Sequence, residues 1–134
     1  MTVELFVSLT ATGVGHGTPA AVLLGLCGER ADLVDPDTIP ATLEAIRARR
    51  RLSVLGRREI RFDERTDLIP HPGTLLPRHV NGMRFTASSA AGDELASRNC
   101  YSIGGGFVVG RRGGCGRRGD GLACRAAVSI QQRR

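Results

Sequence analysis

The sequence predicts an α+β fold, an α/β sandwich in which helices pack on a mostly antiparallel sheet. Three observations carry that reading. The chain opens on an alternating apolar segment, "TVELFVSL"; two helix-start signals follow, at Thr18–Pro19 and Thr38–Pro40; and a succession of short alternating segments separated by turn residues completes the pattern. At 134 residues the chain fits one modest domain that can bury a core without metal or disulfide staples.

Taken in order, residues 2–9 read as a strand with Val3, Leu5 and Val7 on one face. Thr18 can cap free N–H groups and Pro19 suits a first helical turn, so a helix is predicted from Thr18 with Ala21, Leu24 and Cys27 along one side, ending near Gly28. "DPDTIPATLEAIRARR" predicts a second helix, with Leu43 and Ile46 at helical spacing and arginines in its last turn, where they suit the helix dipole. "RLSVLG" and "REIRFD" alternate as strands around a tight turn at Gly56 and Arg57. Residues 64–81 read as loop, broken by Pro70, Pro72, Gly73 and Pro77. "GMRFTA" and "LASRNCYSI" form a hairpin across "AAGDE", and "FVV" closes the ordered pattern.

Charge divides the chain. Residues 1–110 hold 12 Arg and 12 Asp or Glu, while residues 111–134 hold 7 Arg and one Asp, which supplies the whole net charge of +6. The sequence therefore predicts a neutral domain over 1–110 and a disordered Arg/Gly-rich tail over 111–134 that resembles out-of-frame translation. Arg47, Arg49, Arg50, Arg51, Arg57 and Arg58 are flanked by Glu44, Glu59, Asp63 and Glu64 with no aromatic among them, so a solvated surface is expected and nucleic acid is not. With no apolar run of membrane-spanning length and no basic-then-apolar leader, the chain reads as cytoplasmic. The four cysteines, Cys27, Cys100, Cys115 and Cys124, form no C-x-x-C pair, and no metal site is expected in this chain.

The stretch "GVGHGTPA" raises the functional question. Gly15 and Gly17 open the backbone around His16 just before a helix N-terminus, where unpaired N–H groups and the helix dipole favour anions. The same letters satisfy G-x-G-x-x-A, with Asp35 about 20 residues on, but Pro19 occupies the turn that would face a pyrophosphate, and "ADLVD" is too short and polar for the buried second strand. His71, between two prolines, reads as surface. In "RHVNGM", His79 and Asn81 could project together from a bent loop, and from spacing alone a capped loop and a ligand site are equally served.

Together, "VELFVSLTATGVGHGTPAAVLLGL", "VDPDTIPATLEAIR", "HVNGMRFTA" and "YSIGGGFVV" resemble the β-chain region of bacterial iron–sulfur L-serine dehydratases, or L-serine ammonia-lyases, over residues 2–109. That family usually reads K-G-H-G-T-D and H-P-N-G-M, so Pro19 stands in place of an acidic residue and Val80 in place of a proline. The resemblance implies a fold like the allosteric substrate-binding domain of some phosphoglycerate dehydrogenases. It implies deamination of L-serine to pyruvate and ammonia with a [4Fe–4S] cluster held by an α-chain region outside this chain, in an enzyme that is a homo-oligomer. An upstream family segment bearing serine and histidine is also missing here, and Cys115 and Cys124 match none of the cluster ligands.

By the same resemblance His16 transfers a proton, while His79, Asn81, Gly17 and Thr18 bind the substrate. His16, His79 and Asn81 are expected on one side of the fold, sharing a small anionic ligand, if the strand from Gly82 pairs antiparallel beside the first strand. Two other readings stand beside this one: a non-catalytic amino-acid-binding module that regulates a separate α chain, and an inactive fragment.

Overall fold

The computed structural model describes residues 1–11, 15, 17–30, 33–103 and 108–113. His16, the glycine run 104–106 and residues 114–134 of the expected tail lie outside them. Strand β1 spans Thr2–Phe6, followed by a four-residue helix α1 (Ser8–Ala11) and by α2 (Thr18–Cys27). A 3-10 turn over Pro36–Thr38 leads into α3 (Ile39–Arg49), then the hairpin β2 (Arg51–Val54) and β3 (Arg58–Arg61). Next come α4 (Glu64–Asp67), β4 (Leu68–His71), β5 (Gly82–Ser88), β6 (Glu94–Ser102) and β7 (Val108–Gly113).

The main sheet has the order β4-β1-β5-β6-β7, and β2-β3 forms a separate two-stranded ribbon. Only the β1–β4 pairing is parallel, so the sheet is mixed but mostly antiparallel, and the α+β expectation holds. Alternation places Val3 and Leu5 of β1, Met83 and Phe85 of β5 and Cys100 of β6 on one face. That face meets α2, α3 and the ribbon in a single core that includes Leu43, Ile46, Leu52 and Phe62. Helix α2 is buried almost all round, Val22, Leu23 and Leu26 completely, as a helix without a polar face must be. Each such side chain contributes about 2 kcal/mol on leaving water.

Several local expectations give way to tertiary structure. Strand β1 stops at Phe6 instead of continuing to Leu9, because Val7 turns to φ 36° and the chain coils into α1. Gly17, with φ 75°, is the N-cap of α2, so Thr18 does not cap the helix but lies inside its first turn, fully buried. Gly28 ends α2 as expected, at φ 90°; a Cβ there would stand 3.1 Å from the Leu55 backbone, so α2 can meet the ribbon this closely only through glycine. The ribbon's turn contains Gly56 and Arg57 as expected and also takes in Leu55, with Leu55 and Gly56 both left-handed.

The largest correction concerns residues 64–81. Asp63 caps α4 by accepting from the Arg65 N–H, and Leu68–His71 then joins the sheet edge beside β1. Pro70 lacks a donor, which an edge strand tolerates. At the other edge, β7 runs to Gly113, three residues past the point where the sequence places the start of the tail. Three of the six arginines of the cluster are paired with acidic neighbours: Arg47 with Glu64 at 2.6 Å, Arg51 with Glu59 at 2.7 Å and Arg50 with Asp63 at 3.4 Å. Among the described residues no helix is long and apolar enough to cross a membrane.

Candidate functional site

Of the sequence-predicted site residues that the structure describes, His79 and Asn81 lie just before β5, and Gly17 and Thr18 at the head of α2. Val7 N–H donates to the His71 carbonyl at 3.1 Å, which ties the exit of β1 to the exit of β4. The Val7 carbonyl in turn accepts from Thr10 N, Ala11 N and the Thr10 hydroxyl, building α1 directly on that junction. Gly17 is the N-cap of α2. The strand from Gly82 does pair antiparallel with β1, Leu5 opposite Met83, so the His79–Asn81 loop enters the sheet at the end where β1 leaves it.

That loop is anchored rather than loose. Leu76, 6% exposed, packs with Phe6 and Tyr101 on the sheet face opposite the helices, and it forms a bridge with His79. Ser102 N–H donates to the Asn81 carbonyl at 3.0 Å, fixing the loop to the end of β6. Asn81 N–H donates to His79 Nδ1 at 3.1 Å. A ring nitrogen that accepts from a backbone N–H carries no proton, so His79 carries its proton on Nε2. The Asn81 side-chain amide makes no hydrogen bond among the described residues.

A residue the sequence assigned to the bare surface turns out to be part of this region. His71 is half-buried, stacked on Phe6 with ring centroids 4.9 Å apart, and its Nε2 lies 2.9 Å from Glu4 Oε1. Arg84 stands 3.6 Å from the other Glu4 oxygen, lies over the Phe6 ring at 5.5 Å and donates to Asn99 Oδ1 at 3.1 Å. The alternation of "VELF" already places Glu4 and Phe6 on one strand face, but nothing local in the sequence brings His71, 67 residues away, beside Glu4. Of the other expected residues, Gly17 is partly exposed at the head of α2 and Thr18 is fully buried beneath it.

Comparison with known proteins decides the family. The profile described as serine dehydratase beta chain matches residues 1–112. The chain belongs to that family. It is 48% identical over 107 residues to L-serine dehydratase of Streptomyces coelicolor, covering 80% of this chain and 24% of that protein. It is 44% identical over 108 residues to L-serine dehydratase TdcG of Escherichia coli, covering 80% and 23%. With L-serine dehydratase of Mycobacterium tuberculosis the identity is 42% over 109 residues, covering 81% and 23%. The chain thus spans about a quarter of the length of the relatives it matches.

The cluster that the family resemblance implies does not fit the side chains described here. Cys27 is half-buried on α2 and Cys100 fully buried in β6, and among the described residues no three His, Cys, Asp or Glu side chains converge as metal ligands. Burial, reinforced by the charge of Glu29 and only partly offset by a backbone hydrogen bond from Ser53, raises the Cys27 thiol above its ordinary pKa, so it is not a ready thiolate ligand.

Proposed function

We propose that this chain supplies substrate-holding loops to an L-serine ammonia-lyase that converts L-serine to pyruvate and ammonia. The observation that carries the reading is the pinned loop: the Asn81 backbone N–H holds His79 Nδ1, which leaves Nε2–H as a donor, and Asn81 brings a side-chain amide to the same loop. Two donors suit a carboxylate. The partly exposed Gly17 turn at the N-terminus of α2 adds backbone N–H groups of the same sense. In this reading His79, Asn81 and Gly17 bind the serine carboxylate, buried Thr18 supports the turn from beneath, and His16 moves the proton. A [4Fe–4S] cluster, where the complete enzyme carries one, belongs to an α region, and no step is assigned to it here. The complete enzyme is a cytoplasmic homo-oligomer with L-serine and the α region as its partners.

A chimera tests this. Residues 1–112 replace the matching segment of the Streptomyces coelicolor protein, and pyruvate release from L-serine is followed. The chimera should turn over; Asn81→Ala should raise KM, and His16→Ala should chiefly lower kcat. An active chimera indifferent to both substitutions would sink the assignment. The reading as a non-catalytic amino-acid-binding module makes a different forecast, in which the isolated chain binds L-serine but an α region shows full activity without it.

A further inference from the structure

We propose that His71 is the group that receives the ammonium of the amino acid, through an Nδ1 whose acceptor state is set by Glu4; this rests on the reading of the His79–Asn81 loop as a serine site. The geometry treats the two histidines in opposite ways. In His79, Nδ1 is occupied by a backbone donor, leaving Nε2–H as a donor outward. In His71, Nε2 is occupied by the Glu4 carboxylate at 2.9 Å; a carboxylate accepts from a ring N–H, so in the neutral ring Nδ1 is left as an acceptor. Among the described residues nothing bonds to that nitrogen, and the side chain is 33% exposed. A donor facing one end and a carboxylate-backed acceptor facing the other is the complement of a zwitterion, with the carboxylate at His79 and the ammonium at His71.

The two histidines are connected through their neighbours, the last link being a backbone bridge. His71 stacks on Phe6, Phe6 packs on Leu76, and Leu76 bridges to His79. The Val7–His71 hydrogen bond brings the same strand end to the start of α1. Arg84 fixes the second Glu4 oxygen, so the carboxylate is held on both sides and the His71 ring is braced against rotation by Phe6.

Ring-nitrogen correlation spectra of the purified chain, titrated with L-serine or 3-hydroxypropionate, test the proposal. The second probe is serine without its amino group. His71 should carry its proton on Nε2; L-serine should shift both His71 Nδ1 and the His79 ring, whereas 3-hydroxypropionate should shift His79 alone. Glu4→Ala should weaken serine binding about tenfold, the effect of losing one charge-assisted hydrogen bond, and should release the His71 tautomer. A proton on His71 Nδ1, or a His71 response to 3-hydroxypropionate equal to that for serine, overturns the proposal. Serine shifting His79 but not His71 overturns it while leaving the loop reading intact; serine shifting neither ring overturns both.

Discussion

A Cβ built on Gly82 would lie 2.8 Å from Cδ1 of Leu76, inside any real carbon–carbon contact. Leu76 therefore occupies the space that glycine leaves at the start of β5, and this contact seats the His79–Asn81 loop against the sheet. Gly82→Ala should destabilise the chain by about 2 kcal/mol, the usual cost of overpacking a well-filled site. In a Leu76→Ala background the same change should cost much less. Urea midpoints of the four proteins check this; equal costs in both backgrounds would mean that the contact is not the cause.

Val7 offers the opposite experiment. It is a β-branched residue at φ 36°, held there by the hydrogen bonds of its carbonyl to the first turn of α1 and of its N–H to His71. Such a backbone costs 1–3 kcal/mol for a side chain of this shape, against about 0.5–1 kcal/mol of extra chain entropy for glycine. Val7→Gly should therefore raise stability by about 1 kcal/mol in chemical denaturation. A lower midpoint would show that the half-buried valine side chain contributes more than its backbone costs.

The Cys27 thiol should react with iodoacetamide more slowly than a cysteine in an unfolded peptide at pH 8, with the difference vanishing in denaturant. Burial raises its pKa, and Glu29 adds to that, so the reactive thiolate forms only at higher pH. The sign for stability follows: the contribution is complete below the ordinary thiol pKa and is lost as the pH rises through the folded value, because the unfolded chain ionises first. Peptide mapping of alkylation against pH reads it directly, and a Cys27 rate equal to the peptide's would contradict the burial argument.

The purified chain should form no pyruvate from L-serine after anaerobic treatment with iron and sulfide. Cys27 on α2 and Cys100 on β6 both sit at the hydrophobic core, and among the described residues no three potential ligands converge. Pyruvate release together with cluster absorbance would show that this chain assembles a cluster unaided.

By itself the sequence determined the local periodicities and the family. Apolar residues without a polar face made α2 a buried helix, Thr38 and Pro40 marked the start of α3, and alternation in "GMRFTA" and "LASRNCYSI" made the β5–β6 hairpin. Those signals act between neighbours, so they can be read in a line of letters. Only the tertiary structure decided that "LIPH" is a strand, since a proline-containing segment is stabilised there by the parallel edge of β1 and not by its own propensity. It alone turned Val7 out of the first strand, and it alone gave His71 a carboxylate partner 67 residues away. Pairings of that range depend on which strands become neighbours, a choice made by burying the shared core, and no local pattern encodes it.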